Sequence, residues 1–334
     1  MKGRVVGLMV LALMGAPQAQ VLTPAPGGNA SQSSVEQWLL RLHAASRQRS
    51  YVGTFVVTTG NYMSSARIWH VSEGGQQLER VEALTGVPRS TYRRGDQVVT
   101  FLPANRLVIS EKRDSLGIFS DVLSRADASM AQFYQLKAIG RDHVAGLWAD
   151  VVQLVPRDSW RFGYRIWTEQ ATGLVVKLQT LDPLQRVLEQ AAFSELQLTR
   201  PISGAEIGAM MDNTDGYSVK KPELITTTAD QQGWQLKAQV PGFKSMSCHT
   251  RQDSGSVVGH GPLQWVFSDG LASVSLFIEA FDAMRHSKLQ GHDQFVMGAT
   301  HMQTRRVGDW WLTVVGEVPQ QTLQMFAQSL ERKK

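Results

Sequence analysis

The chain has 334 residues, 43% of them hydrophobic and 19% charged, with a formal net charge of +5 and a single cysteine. That apolar share can fill buried cores and excludes a disordered polyelectrolyte, and one cysteine excludes an internal disulfide framework. Cys248 reads as a small buried hydrophobe on a strand, with an intermolecular bridge as the sharper alternative.

Residues 1–19 combine Lys2 and Arg4 with an apolar run from Val5 to Met14 and small residues near Ala16 and Ala19, the pattern of a secretory signal peptide. The run is too short to span a bilayer, which needs about 20 apolar residues. Cleavage is expected near Ala19, although Pro17 is awkward for that site. Loss of the two leading cations lowers the net charge to +3. The product is then soluble and exported, which argues against a nucleic-acid partner and leaves an acidic protein segment or an anionic lipid head for a basic patch. About 310 remaining residues exceed one ordinary domain of about 100 to 200, so two are expected.

Val21 to Gln32, rich in Pro, Gly, Ser and Ala, reads as a flexible lead. Ser34 and Gln37 have capping-box spacing, and Val35, Trp38, Leu39 and Leu42 form one apolar face of a helix ending near Arg49. From Tyr51 to Leu198 the pattern becomes a succession of strands: YVGTFVVTT, ARIWHVS, QQLERVEAL, QVVTFLP, RLVISE, LWADVVQLVP, RFGYRIWTE, GLVVKLQTLD and RVLEQAAFSELQL. Ala171-Thr172-Gly173 and Asp182-Pro183 mark antiparallel hairpins. Between Asp114 and Leu136 the spacing of Leu116, Phe119, Val122 and Leu123 predicts a helix, and that of Met130, Phe133 and Tyr134 a second. Helices inserted in an antiparallel sheet must cover one of its faces, so a strongly curved sheet with helices in its concavity is expected.

Residues 200–223, with Pro, Gly, Asp and Asn around a weak helical patch at Ile207 to Met211, read as a linker between a domain of residues 34–199 and one of residues 224–331. The second holds strands WQLKAQV, FKSMSCHT, PLQWVFS, LASVSLFIEAF, FVMGATHMQTRRV and WWLTVVGEV. Asp269-Gly270 is a hairpin signal. Pro319 suits the first turn of a closing helix whose Leu323, Phe326, Ala327 and Leu330 make one apolar stripe. The fold class is therefore α+β.

No catalytic pattern emerges. The eight histidines fall in no metal-ligand spacing, and Cys248 and His249, adjacent on a strand, point to opposite faces. There is no nucleophile elbow, phosphate-binding loop or dinucleotide fingerprint. No enzyme, metal or cofactor is expected. Phe55 and Val57 share a face of the first strand, and several strands look apolar on both faces. One reading is that helices cover one side and a partner domain the other. The second is a cavity for an acyl chain, lined by Phe55, Val57, Trp69 and Phe119 with a basic rim from Arg93, Arg94 and Arg113, to which Arg89, Arg106 and Lys112 could add. Trp265 and Phe267, beside the Asp269-Gly270 hairpin, are candidate partner anchors or else core residues.

PLQWVFSDGLASVSLFIEAF, VPGF and VVGEVPQQTLQMFAQSL in the second half, with YVGTFVVTTG and RFGYRIWTEQATGLVVKLQTLD in the first, resemble the RseB/MucB family of periplasmic negative regulators of an envelope-stress sigma factor. The resemblance covers nearly all of Ser34 to Leu330. It implies an N-terminal half-open antiparallel barrel wrapped on helices, like that of lipoprotein carriers, and a smaller C-terminal α+β domain. It also implies binding to the exported segment of an RseA/MucA-like anti-sigma factor, which shields it from the initiating protease. Release would follow binding of lipopolysaccharide or another misplaced lipid or lipoprotein. The alternative is a periplasmic lipid or lipoprotein carrier, in which only the first domain's cavity matters.

Overall fold

In a computed structural model, residues 32–112, 128–198, 202–252, 261–286 and 294–333 are described. The signal segment, the Pro/Gly-rich lead as far as Ser31, Arg113 and the predicted helix carrying Phe119 lie outside them, and Gln32 opens the first helix.

Helix α1 (Gln32–Gln48) leads into β1 (Tyr51–Thr59), β2 (Tyr62–Glu73), β3 (Gln76–Ala83), β4 (Ser90–Arg94), β5 (Gln97–Leu102) and β6 (Leu107–Lys112). A short 3-10 turn, Ala128–Gln132, then precedes β7 (Tyr134–Val144), β8 (Leu147–Pro156), β9 (Gly163–Glu169), β10 (Val175–Leu181) and β11 (Val187–Gln197), followed by α2 (Gly204–Asp212) and β12 (Ser218–Lys220). The strands form one 12-stranded sheet in the order β12-β6-β5-β4-β3-β2-β1-β11-β10-β9-β8-β7. Its neighbours are antiparallel except β12, which runs parallel to β6. Both predicted hairpins are present, joining β9 to β10 and β10 to β11.

Three differences from the sequence reading have physical causes. Met130, Phe133 and Tyr134 do not share a helix: the helical turn is short, and Tyr134 opens β7, whose pairing with β8 from Tyr134 to Val144 outweighs the local spacing. Strand β4, STYRR, has no apolar run to announce it. It is held by its register with β3 and β5 and by carboxylates, with Arg93 on Glu79 and Arg94 on Asp212. The segment 200–223 is largely built into the first sheet. Ser203 and Glu206 make a capping box for α2, whose Ile207 and Met211 are buried against Val71, Leu78, Tyr92, Phe101 and Val108, and β12 extends the sheet beyond β6.

The second unit contains β13 (Glu223–Thr226), β14 (Trp234–Leu236), β15 (Lys244–Gln252), β16 (Leu263–Ser268), β17 (Ser273–Ala280), α3 (Ala283–His286), β18 (Gln294–Met297), β19 (Thr300–Val307), β20 (Trp310–Gly316), α4 (Gln320–Ser329) and β21 (Leu330–Arg332). A seven-stranded antiparallel sheet runs β13-β15-β16-β17-β20-β19-β18, and β14 pairs with β21. FVMGATHMQTRRV is two strands, β18 and β19, folded at Gly298, whose φ of 61° is left-handed. The stripe predicted on α4 is buried as expected: Leu323, Phe326 and Ala327 pack with Phe243, Phe267, Leu276, Leu312 and Val314. Each large side chain so buried contributes about 1.5–3 kcal/mol.

The two units exchange residues across a buried contact. The β16–β17 hairpin inserts Asp269 toward the first unit, where its Oδ2 accepts from Arg161 Nη1 at 2.7 Å and from the Tyr134 hydroxyl at 3.0 Å. Arg161 is wholly enclosed. Its other donors reach Asp158 at 2.9 Å and the Pro241 carbonyl at 2.6 Å, so the guanidinium fork is satisfied. Its face lies over the Phe133 ring, 4.4 Å from the centroid. Leu271 packs into the first unit's core and Trp160 into the second's, while the Thr322 hydroxyl donates to the Trp160 carbonyl at 2.7 Å.

Candidate functional site

Two concavities stand out, one in each unit. In the first, alternation along β1 and β2 decides which side chains face inward. Phe55 pairs with Ala66, so Ala66, Ile68 and His70 share the face of Phe55, while Arg67, Trp69 and Val71 take the opposite one. Helix α1 and the aromatic residues around Tyr51 and Phe193 fill part of the inner face. The remainder is a cavity of about 570 Å³, lined by apolar Phe55, Val57, Val81, Leu178 and Ala191, by Thr85, Thr91, Thr100 and Thr180, and by Arg89, Glu111, Tyr164, Glu189 and Glu317.

The residues expected to hold an acyl chain are thus divided. Phe55 and Val57 line the cavity. Trp69 lies on the other face with its ring flanked by the guanidinium groups of Arg80, 4.6 Å away, and Arg67, 5.5 Å away. Arg93 lies on the inner face but is bound to Glu79 by contacts of 2.9 Å and does not line the cavity. Arg94 is on the α2 side and forms a two-pronged pair with Asp212 at 2.9 and 3.0 Å. Arg113 and Phe119 are outside the described residues. Among the described cations considered for a basic rim, Arg89 is the one found in the lining, which also holds Glu111, Glu189 and Glu317. The chain carried no periodic signal for Glu317, because it follows β20 in the second unit and reaches this cavity only through tertiary contact.

Glu189 and Glu317 have a definite electrostatic character. Glu189 accepts from the Thr59 hydroxyl and the Ala299 backbone N–H, yet burial raises it above the usual carboxylate range. The protein packed around the Glu317 carboxylate, reinforced by Glu189, pushes it up to about 7, although the residue as a whole is exposed to water, which moderates the effect. The folded state therefore binds more protons than the unfolded one between about pH 4.5 and 7, and stability is expected to fall as pH rises through that window and to level off above it. Thermal melts of Glu317→Gln should be flatter across this range than those of the parent; an identical slope would remove Glu317 as the cause.

The second concavity, of about 810 Å³, lies on the face of β15 and β16 and has a floor of Trp234, Phe243, Phe267 and Phe326. Both anchors expected from the sequence are here. Trp265 and Phe267 are two apart on β16, hence on one face, with ring centroids 4.6 Å apart. Phe267 is buried and touches Phe326 at 4.9 Å, whereas Trp265 is half-buried at the rim and donates through Nε1 to Ser245 Oγ at 2.8 Å. An irregularity in β15 between Ser245 and Ser247 leaves Met246 about half exposed beside them. Cys248, opposite Trp265 in register, also lines the groove; burial pushes its thiol up to about 11, which makes it a packing residue with little thiolate character.

Residues 34–211 match the MucB/RseB N-terminal domain and residues 228–331 match the MucB/RseB C-terminal domain. The chain belongs to the MucB/RseB family. It is 28% identical over 317 residues to the sigma factor AlgU regulatory protein MucB of Pseudomonas aeruginosa, covering 92% of this chain and 94% of that one. It is 22% identical over 314 residues to the sigma-E factor regulatory protein RseB of Escherichia coli, covering 91% and 92% respectively. Among solved structures, the Pseudomonas aeruginosa MucA/MucB complex superposes with a TM-score of 0.67 at 25% identity, covering 90% of this chain and 99% of that one. MucB in complex with MucA(peri) gives a TM-score of 0.64 at 26% identity, with 89% and 98% covered. The mostly-sheet architecture with few helices is thus that of MucB, and both concavities are parts of a MucB/RseB-type protein.

Proposed function

We propose that this chain binds the periplasmic segment of an RseA/MucA-like anti-sigma factor, shields it from the protease that makes the first cleavage, and so negatively regulates the envelope-stress sigma factor. The observation that carries this reading is the match of both halves of the chain to the family, together with the likeness to MucB solved with MucA. It is a binding role and not a catalytic one, in keeping with relatives described as regulatory proteins. The place of action is the periplasm, which the signal pattern of residues 1–19 supports. Among the described residues no helix is long and apolar enough to cross a membrane.

The aromatic groove holding Trp265 and Phe267 is the surface we assign to the anti-sigma factor, and the first unit's cavity the one we assign to a lipid. Ile109 on β6 and Tyr164 on β9 line one cavity although they stand eight places apart in the sheet. A flat sheet would separate them by nearly 40 Å at about 4.8 Å per strand, which supports reading the sheet as one that wraps round as a half-barrel. A lipid, lipopolysaccharide included, releases the anti-sigma factor only if it binds two arrangements of the units unequally. The short connection Lys221-Pro222, between β12 and β13, is where the chain leaves the first sheet and is the hinge we favour.

The purified protein is expected to slow cleavage of the anti-sigma factor's exported segment, and added lipopolysaccharide to restore the rate. Equal cleavage with and without the protein would sink the regulatory role. Such a result alongside retained lipid binding would favour a periplasmic carrier, for which the cavity alone suffices.

A further inference from the structure

We propose that one end of the first unit docks on the surface of a lipid bilayer, with the tips of its hairpins set among the lipid heads beside the mouth of the cavity. This rests on the lipid-cavity reading above for what passes through that mouth, and adds how such a lipid is reached.

The antiparallel order puts alternate connections at opposite ends of the sheet. Thr59 pairs with both Tyr62 and Glu189, Ala66 with Ala83, Ser90 with Phe101 and Leu181 with Val187, so the β1–β2, β3–β4, β5–β6 and β10–β11 connections share one end. Three of the four present large apolar side chains to water. Tyr62 and Met63 stand beside the first, Leu84 and Val87 lie in the second, and Leu184 and Val187 mark the last, all 47–74% exposed. The other end differs. Its connections, Gly74-Gly75, Gly95-Asp96, Ala145-Gly146 and Gln170 to Leu174, expose no large apolar side chain, Leu174 being buried. Apolar side chains scattered singly on a surface are ordinary, whereas a set gathered at one end marks an interaction.

Charge supplies the second observation, independently. The same four connections hold three exposed arginines, Arg89, Arg106 and Arg186, and one carboxylate, Asp182, which is buried. Asp182 pairs with Arg186, while Arg89 and Arg106 enter no ion pair among the described residues. Glu189 and Glu317 belong to the cavity lining and not to the tips. The tips are therefore net cationic, which complements the anionic heads of a bilayer. The second unit continues this end. Gly298 in its β18–β19 turn packs on Thr59 and the Leu188 carbonyl, and the neighbouring Met297 is exposed.

The form of the surface favours a bilayer over a protein. Its apolar side chains stand on separate hairpin tips with an arginine beside several of them, and not in one groove like that of the second unit. Side chains so placed enter a headgroup layer while the turns that carry them stay in water. The cavity begins at the same place. Ser64 follows Met63 in the chain, Thr85 and Arg89 stand in the β3–β4 connection, and all three line the cavity. A lipid entering there leaves the bilayer without drawing its chains through water, which would cost free energy for every methylene exposed.

Flotation of the full mature chain with vesicles of phosphatidylcholine and phosphatidylglycerol in equal parts tests the docking. The parent is expected to float with them, and less well with phosphatidylcholine alone or in high salt, where the arginines lose their attraction. The triple variant Tyr62→Ser, Val87→Ser, Leu184→Ser is expected to bind the mixed vesicles at least about tenfold more weakly. Its melting temperature should be unchanged, because the three side chains are exposed. The single variants, each several-fold weaker, serve should the triple one melt lower. Trp148→Ser, which removes a comparably exposed aromatic at the other end, is expected to bind as the parent does. Lysophosphatidylglycerol, offered as monomers, reads the cavity separately, and the triple variant should still take it up. A parent that ignores vesicles but takes up the lysolipid overturns the docking and leaves the cavity standing, whereas uptake of neither overturns both. Vesicle binding that the triple variant loses, without lysolipid uptake, upholds the docking and overturns the cavity. Equal vesicle binding by the parent and the triple variant, or an equal loss with Trp148→Ser, overturns the assignment to this end.

Discussion

Asp269→Ala is expected to cost about 3–5 kcal/mol of stability, the loss associated with removing one partner of a buried ion pair. Arg161 has no exposed surface, and Asp269 is its fully enclosed counter-charge at 2.7 Å. The substitution also removes the acceptor of Tyr134 and the two hairpin bonds from the backbone N–H groups of Leu271 and Ala272 at 2.9 and 2.8 Å. Asp158 remains on Arg161 at 2.9 Å and is partly exposed, which places the effect toward the lower end of that range. Arg161→Met with Asp269→Leu should recover much of the loss, because an apolar pair avoids the cost of burying a lone charge. Urea unfolding of the three variants measures this. A loss below about 1 kcal/mol for Asp269→Ala would show that water reaches the pair and screens it.

That contact shows where the chain was readable and where it was not. The Asp269-Gly270 signal located the β16–β17 hairpin correctly, since turn chemistry is local. Nothing local indicates that the aspartate serves Arg161, 108 positions away. The same division runs through the first sheet. Strands with apolar runs, β1, β2 and β8 to β11, were legible from their residues, whereas β4 was not, because its stability comes from neighbours and from Glu79 and Asp212. The Pro/Gly/Asp-rich stretch after β11 looked like a linker, yet its capping box and two apolar residues suffice to dock α2 on the sheet.

The cavity followed the same rule. Phe55 and Val57 were legible by their two-residue spacing on one strand. Trp69 required the register between β1 and β2 to be assigned its face, and an odd offset turned it outward. Arg93 and Arg94 looked available as a basic rim because an unpaired arginine and one bound to a distant carboxylate are identical in sequence. Glu317 was invisible as a cavity residue for the converse reason, being delivered by the other unit.

The groove in the second unit yields the second large effect, and the structure separates two residues that the chain could not. Trp265→Ala is expected to lower affinity for the anti-sigma factor's periplasmic segment by about 2 kcal/mol or more, roughly thirtyfold, as truncation of an aromatic anchor does. Its ring is half-buried at the rim, fixed by Ser245 and backed by Phe267, so it is presented with little remaining freedom to lose on binding. Phe267→Ala is expected instead to cost about 3–5 kcal/mol of folding stability, because it empties a site packed on Phe326 beneath α4. Urea unfolding and affinity titration of the folded fraction, run on both variants, separate the two effects. If Trp265→Ala binds as the parent does, the groove is not the partner's surface. If both variants lose stability and neither loses affinity, β16 serves the core alone, and the anti-sigma factor must be held elsewhere on the chain.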